Sequence, residues 1–352
     1  MSLMMTANVV AQSLIYFESL QNWQRQGGPV LQDYEFDSHY QVAADPHVFR
    51  TQDGELKMVY TGPDPVLGSN GHATIKLASL DSNNQWLPDT ELLMGSEAHN
   101  LDLNKETSFY RLSDSGKHQI YYIGYQSGSE YISQIFMAEA NELEGPYTLP
   151  SAPLINTGDT IGFPVRTITS PSIVAYDNRL YMVYCAWNDF PYPTEVQVHG
   201  AISEDDGHNW QPVGEVNVPV CMEGALTTGP DGLFYAVAST NHGFSIGRSA
   251  QPFPETGYDM LPEPVMTATG APWEVDEMNT PQLFFEDGRA YLYYSGADYL
   301  SGWWIMRADT GLVMGGMQPQ SVNVWNLPVT IVVILLCGLI GLLFLSQSRA
   351  NS

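Results

Sequence analysis

The sequence predicts an all-β fold: a five-bladed β-propeller closed by an N-terminal strand, followed by a C-terminal transmembrane helix. Three observations lead there. A strand–turn–strand unit recurs five times at a spacing of about 60 residues, a period that in strand-built chains points to propeller blades. The last unit lacks its final strand, and a matching segment stands near the opposite end of the chain. A charge-free apolar run of bilayer length lies beyond the last unit.

The units open at Asp45 (DPHVFRTQDGELKMVYTG), Glu106 (ETSFYRLSDSGKHQIYYIG), Ser170 (SPSIVAYDNRLYMVYCAW), Glu223 (EGALTTGPDGLFYAVAST) and Thr280 (TPQLFFEDGRAYLYYSGA). Each is a strand, a tight turn carrying Gly or Asp-Asn, and a second strand rich in Tyr or Ala. Two outer strands follow in the first four units, holding Trp86, Tyr147, Trp210 and Tyr258 in turn. Alternating apolar and polar residues between Gly, Asn and Asp turns support these strands. The fifth unit has only GWWIMRADTG as a third strand. The segment LQNWQRQGGPVLQ carries Trp23 and ends in PVL, like other fourth strands. Residues from Trp23 to Leu31 are therefore expected to complete the last blade, which protects the sheet edges and ties the ring shut. The chain divides into a propeller (1–310), a stalk (311–324), a transmembrane helix (325–345) and a short tail (346–352).

Thirteen basic residues stand against 39 acidic ones, giving a formal charge of −26, with only four lysines. Such a surface repels phosphate, so a nucleic-acid partner is not expected, while neutral or cationic substrates remain open. Cys185, Cys221 and Cys337 have neither zinc-site nor disulfide spacing and read as buried thiols.

The run WNLPVTIVVILLCGLIGLLFL, from Trp325 to Leu345, is apolar on every side and long enough to span a bilayer. Trp325 suits an interfacial anchor, and Arg349 in the tail favours an extracytoplasmic propeller. The N-terminal residues show no basic stretch followed by an apolar core of the signal-peptide kind, which leaves a tail-anchored protein with a cytoplasmic propeller open.

A propeller brings equivalent positions together around its axis. Asp45, Glu106, Ser170, Glu223 and Thr280 are thus expected to line one funnel, with His47, Trp187, Asn188, Asp189, His242 and Asp298 beside it or on its rim. Two carboxylates facing a polar pocket are the minimum for glycoside hydrolysis: one ionised to activate water or attack the sugar, one protonated to serve the leaving oxygen. Aromatic rim residues such as Trp187, Tyr192 and Trp273 could stack on sugar faces.

At these residues the sequence resembles the five-bladed propeller glycosidases, most closely glycoside hydrolase family 43 and its relatives, over roughly Asp45 to Asp309. ADPHVF resembles the family's first-blade Asp-Pro motif, which implies Asp45 as general base. MEGALTTGPDGLFYAVAS resembles its fourth-blade Glu-Gly-Pro motif, which implies Glu223 as general acid. The resemblance further implies inversion of configuration and an arabinose- or xylose-type linkage. It departs at the third blade, where the family's pKa-raising aspartate is Ser170 here. Glu106 or Asp189 could substitute for it.

Two other readings compete. SEDDGHNW (Ser203, Asp205, Gly207, Trp210) fits an Asp-box, the turn that recurs in sialidases, and SLDSNNQW (Ser79, Asp81, Trp86) is a degraded copy. A structural turn accounts for both, and the three arginines expected for a sialidase are missing from the funnel. A non-catalytic carbohydrate-binding propeller is favoured by Ser170 and disfavoured by retention of the acid pair. No cofactor is required by this chemistry, and no cluster of His or Cys suggests a catalytic metal, although the axis could accept a cation. A chain ended before Gly311 is expected to partition with the soluble fraction while the full chain partitions with membranes. Fractionation of the two forms checks this, and an insoluble shortened chain counts against the assignment of the apolar run.

Overall fold

The computed structural model describes residues 16–33, 41–64, 73–93, 102–126, 132–159, 162–189, 194–219, 223–240, 243–262 and 264–311. The N-terminal segment supplies β1 (Gln24–Arg25) and β2 (Gln41–Val42). Blade I is β3 (Ala44–Arg50), β4 (Leu56–Pro63), β5 (Ala73–Leu80) and β6 (Trp86–Leu93). Blade II is β7 (Asn104–Leu112), β8 (His118–Tyr125) and β9 (Gln134–Ala140). Its outer edge is continued by bridges from Glu139 to Thr148 and from Ile135 to Ile155. Blade III is β10 (Thr167–Tyr176), β11 (Arg179–Trp187), β12 (Val196–Ser203) and β13 (Gln211–Glu215). Blade IV is β14 (Gly224–Thr228), β15 (Phe234–Thr240), β16 (Gly243–Ser249) and β17 (Asp259–Met260). Blade V is β18 (Glu277–Glu286), β19 (Arg289–Asp298) and β20 (Gly302–Asp309). The innermost strands β3, β7, β10, β14 and β18 touch one another in a closed cycle. This is the five-bladed propeller that the repeat predicts.

Side-chain alternation along the strands builds the core. Tyr122 of β8 falls in the cluster shared with Val59 of blade I, while its neighbour Tyr121 falls in the one shared with Met182 of blade III. The buried apolar residues accordingly fall into five clusters, one between each adjacent pair of blades. The hairpin turns follow from local chemistry. Asp177 and Asn178 both take left-handed φ (50° and 59°), as do Asp287 and Gly288 (47° and 74°), the pattern that a two-residue hairpin requires.

The Asp-box is structural. Ser203 Oγ donates to Asp205 Oδ1 (2.9 Å), Asn209 N–H donates to the same oxygen (2.8 Å), and Trp210 Nε1 closes the turn onto Gly207 O (2.9 Å). Its tip is seated on blade II: Arg111 donates to Asp206 Oδ1 at 2.6 Å, and Trp210 meets Tyr121 edge-on at 6.1 Å. Gly207 has φ 88°, and a Cβ there would stand 2.0 Å from the Tyr121 hydroxyl, so the docking excludes every other residue. The degraded copy in blade I works alike. Asp81 accepts from Asn83 N–H and Gln85 N–H, and Trp86 meets Tyr293 of blade V edge-on at 6.1 Å.

Closure comes from the N-terminal segment, as the sequence leads one to expect. Gln24 and Arg25 pair with Asp309 and Ala308 of β20. The chain leaves the ladder over Gly27–Gly28 and returns, with Val30 N–H donating to Ile305 O (2.8 Å) and Leu31 bridging Ile305. β2 then lies parallel to the start of β20. Tyr16, Phe17 and Leu20 fill the gap between blades IV and V. Among the described residues no helix is long and apolar enough to cross a membrane. The stalk, the transmembrane helix expected at 325–345 and the tail all lie outside the described residues except for Gly311, where the stalk begins.

Leu31 is 1% exposed and is packed between blades V and I. Leu31→Ala is expected to lower stability by about 2–5 kcal/mol, the range for deleting a buried leucine side chain. Urea unfolding checks this, and an unchanged midpoint would mean that the segment does not hold the ring.

Candidate functional site

One backbone feature recurs on all five inner edges and builds the site. Asp45, Thr107, Ser170, Glu223 and Thr280 have φ of 54°, 44°, 55°, 90° and 45°. In blades I, II, III and V the ladder to the second strand slips at this residue. Left-handed φ is costly for a non-glycine residue, most of all for β-branched threonine, and persists only where the surroundings enforce it. Here they do. Thr107 N–H donates to Asp45 Oδ2 and to Thr61 Oγ1, both at 3.2 Å. Thr280 N–H donates to Asn279 Oδ1 (2.9 Å), and its hydroxyl lies 2.6 Å from Ser295 Oγ. The five residues ring the axis. Below them Pro46, Ser108, Pro171, Gly224 and Pro281 line an axial cavity whose wall includes His47 and Phe109.

This geometry corrects one sequence assignment. Glu106 is not equivalent to Asp45; Thr107 is. Glu106 pairs with Ile123 across the hairpin, as Ala44 does with Thr61 and Asn279 with Ser295. The ring position is therefore acidic in two blades, not three. Glu106 still reaches the mouth, where the Tyr125 hydroxyl donates to its carboxylate.

Asp45 and Glu223 differ in their support. Asp45 accepts from Thr61 Oγ1 (2.6 Å) and from Thr107 N–H, with the Thr280 hydroxyl also acting on it. Glu223 has one hydroxyl donor, Thr169, at 3.3 Å. Burial raises both carboxyls above their ordinary range. Glu223 is raised much further by burial and then by the charges of Asp45, Glu277 and Glu106. Hydrogen-bond donors favour the charged form, so of the two Asp45 is the better suited to be the carboxylate and Glu223 to keep the proton. Burial also pushes the His47 imidazole down to about 3, leaving it neutral. Its ring stacks on Phe109 at 4.2 Å and accepts from Tyr110 N–H at 2.9 Å.

The remaining residues expected from sequence divide. Ser170 occupies the ring position of blade III, 3.2 Å from Thr169 Oγ1. Trp187 closes β11 opposite Thr167 and is partly buried. Asn188 is committed to its own loop: Oδ1 accepts from Thr194 N–H and Glu195 N–H, and Nδ2 donates to Thr194 Oγ1. Asp298 likewise holds a turn, accepting from Leu300 N–H and Ser301 Oγ. Asp189 stands exposed, 3.8 Å from Arg166. Trp273 is partly buried and packs against the core between blades IV and V. His242 and Tyr192 lie outside the described residues. Among the described residues no group of three or more His, Cys, Asp or Glu could hold a metal ion.

Sequence reasoning missed Glu277. It opens β18, accepts from Asn279 Nδ2 (2.9 Å) and from the Tyr299 hydroxyl, and its charge acts on Glu223. The repeat alignment began at Thr280 and passed over it. The available signal was an acid three residues before the ring position.

No family model and no curated protein matches the sequence. Solved structures do match the fold. BT0996, in its complex with RGII, superposes with a TM-score of 0.65 at 15% identity, covering 90% of this protein and 97% of that one. A family 117 glycoside hydrolase, Zg3597 from the marine bacterium Zobellia galactanivorans, gives 0.60 at 13% identity over 82% and 90%. The GH43_1 enzyme from Xanthomonas citri complexed with xylotriose gives 0.59 at 12% identity over 84% and 93%. The protein shares the propeller fold of glycoside hydrolases.

A carboxyl raised above its unfolded value of 4.5 binds a proton in the folded state where the unfolded chain has lost it. Stability then falls as pH rises from that value toward the folded one. Glu223→Gln is therefore expected to be more stable than the natural protein at pH 7, with the gain shrinking as the pH drops below the ordinary carboxylate range. Urea unfolding at several pH values measures it. A destabilised variant would show that burial does not strain this carboxyl.

Proposed function

We propose that the protein is a glycoside hydrolase acting on a neutral linkage of the arabinose or xylose type, with inversion of configuration. The observation that carries this reading is the pair of buried carboxyls on the axis with unequal hydrogen bonding: Asp45 supplied with donors, Glu223 nearly without. Asp45 takes a proton from a water that attacks the anomeric carbon. Glu223 gives its proton to the glycosidic oxygen as the bond to the leaving group breaks. Solvent then returns a proton to Glu223 and accepts one from Asp45. Two carboxyls and water suffice, with no cofactor. The fold shared with an enzyme complexed with xylotriose supports the sugar class. On this reading the apolar run at 325–345 anchors the propeller to a membrane, with its funnel on the extracytoplasmic side.

A screen of aryl glycosides and plant or algal polysaccharides tests the assignment. Asp45→Ala is expected to be inactive on all of them. Glu223→Ala is expected to lose roughly 10²–10⁴-fold on natural linkages, the range for a positioned acid, and much less on aryl glycosides whose leaving group needs little protonation. Equal rates for the natural protein and both variants would refute it. Sugar binding without turnover would instead establish a binding propeller, the reading that Ser170 favours.

A further inference from the structure

A fixed negative charge beside a buried acid adds to burial in keeping its proton at neutral pH. Blade III supplies none, because its ring position is Ser170. Blade V does. Glu277 is held from two sides, by the Tyr299 hydroxyl from the end of its own hairpin and by Asn279 Nδ2 at 2.9 Å. Asn279 uses its other amide atom to accept from Ser239 Oγ (2.8 Å), and Ser239 N–H donates to the backbone carbonyl of Glu223 (3.0 Å). Through Asn279 and Ser239 the Glu277 carboxylate is thus linked across the junction of blades IV and V to the backbone of Glu223. We propose that Glu277 is the positioning residue of Glu223: it sets the acid's protonation through space and fixes its backbone through Asn279 and Ser239. The proposal rests on the catalytic reading of Glu223 given above.

The groups around the acid single out Glu277. Asp45 comes from β3 and is needed for the reaction itself. Glu106 comes from β7, is bonded to Tyr125, and acts on Glu223 less than Glu277 does. Thr169 from β10 offers a hydroxyl, which pulls the proton affinity down. His47, deeper in the cavity, is neutral. Glu277 is thus the strongest charge on the acid that is not itself a reactant, and it stands on the strand next to the acid's own blade.

The test uses the full chain with 13C-labelled glutamate side-chain carboxyls, the Glu223 resonance being identified by its loss in Glu223→Gln. In Glu277→Gln, which keeps the shape and one hydrogen-bonding oxygen, Glu223 should titrate at lower pH than in the natural protein. Glu277→Asp, which keeps the charge, should move it less. Adding Ser170→Asp to Glu277→Gln should move the titration back up, because it restores a negative charge from the opposite flank. For a substrate with a poor leaving group, the alkaline limb of kcat should shift toward lower pH in Glu277→Gln, with KM little changed. An unmoved Glu223 titration in Glu277→Gln overturns the proposal, and so does an equal downward shift in Glu277→Asp. If the titrations behave as expected but no glycoside is turned over, the role of Glu277 stands and the catalytic reading of Glu223 falls.

Discussion

The ring depends on both ends of the propeller segment lying in one sheet. A propeller without closure leaves two open blade edges, and each inter-blade core needs a neighbour on both sides. Here β1 and Leu31 pair with β20, and Arg25 reaches past the strand to the buried carboxylate of Glu274 at 3.2 Å, which also accepts from Tyr294. The cluster between blades V and I contains Leu31 beside Tyr293, Met58 and Trp86, so the closing segment is part of that core. The geometry of the axial site follows, because Asp45 of the first blade is tied to Ser295 of the last: its N–H donates to Ser295 Oγ at 2.8 Å. An opened ring would separate those two groups.

The Arg25 arrangement is repeated. In blade I, Tyr60 donates to Asp33, which pairs with Lys76 at 2.6 Å. In blade II, Tyr122 donates to Asp102, beside the fully buried Lys105. Each acid sits in the segment entering a blade and is fixed by the phenol of the second strand and by one cation. A chain with only 13 basic residues thus commits three of them to the blade junctions. Breaking such a buried pair costs far more than an exposed one, because the remaining charge loses its partner away from water. The same allocation leaves the funnel to carboxylates and hydroxyls.

Much of this was legible in the sequence, and the limits have physical causes. Strand pairs, turns and the missing outer strand are written in alternation and in Asn, Asp and Gly, which act locally. Asp45 and Glu223 were legible because each stands at a strand start. Glu106 was read one residue out of register, because the bulge that turns Thr107 inward is held by acceptors from blade I, Asp45 and Thr61, that no local pattern records. Asn188 and Asp298 were read as rim groups, yet each is occupied by backbone N–H groups a few residues ahead, the ordinary use of short polar side chains in turns. Glu277 was missed because its importance lies in its neighbours, Asn279 and Ser239, which belong to different blades.

The left-handed residue on each inner strand has a consequence for how such a site can change. The bend is held by the backbone and by surrounding hydroxyls, and it accepts Asp, Thr, Ser, Glu and Thr in turn without altering the blade. The five positions are therefore like sockets of one turret: any can carry an acid, and the wall behind it is already shaped. Loss of a carboxylate from one socket need not abolish a reaction when a charge can be taken up beside another. In this chain the third socket holds serine, while the charge of a glutamate flanking the fifth acts on Glu223. Chemistry on such a ring can migrate from blade to blade while the architecture stays still, so a motif at one blade is a weaker guide to activity than the sum of charges that all five bring to the centre.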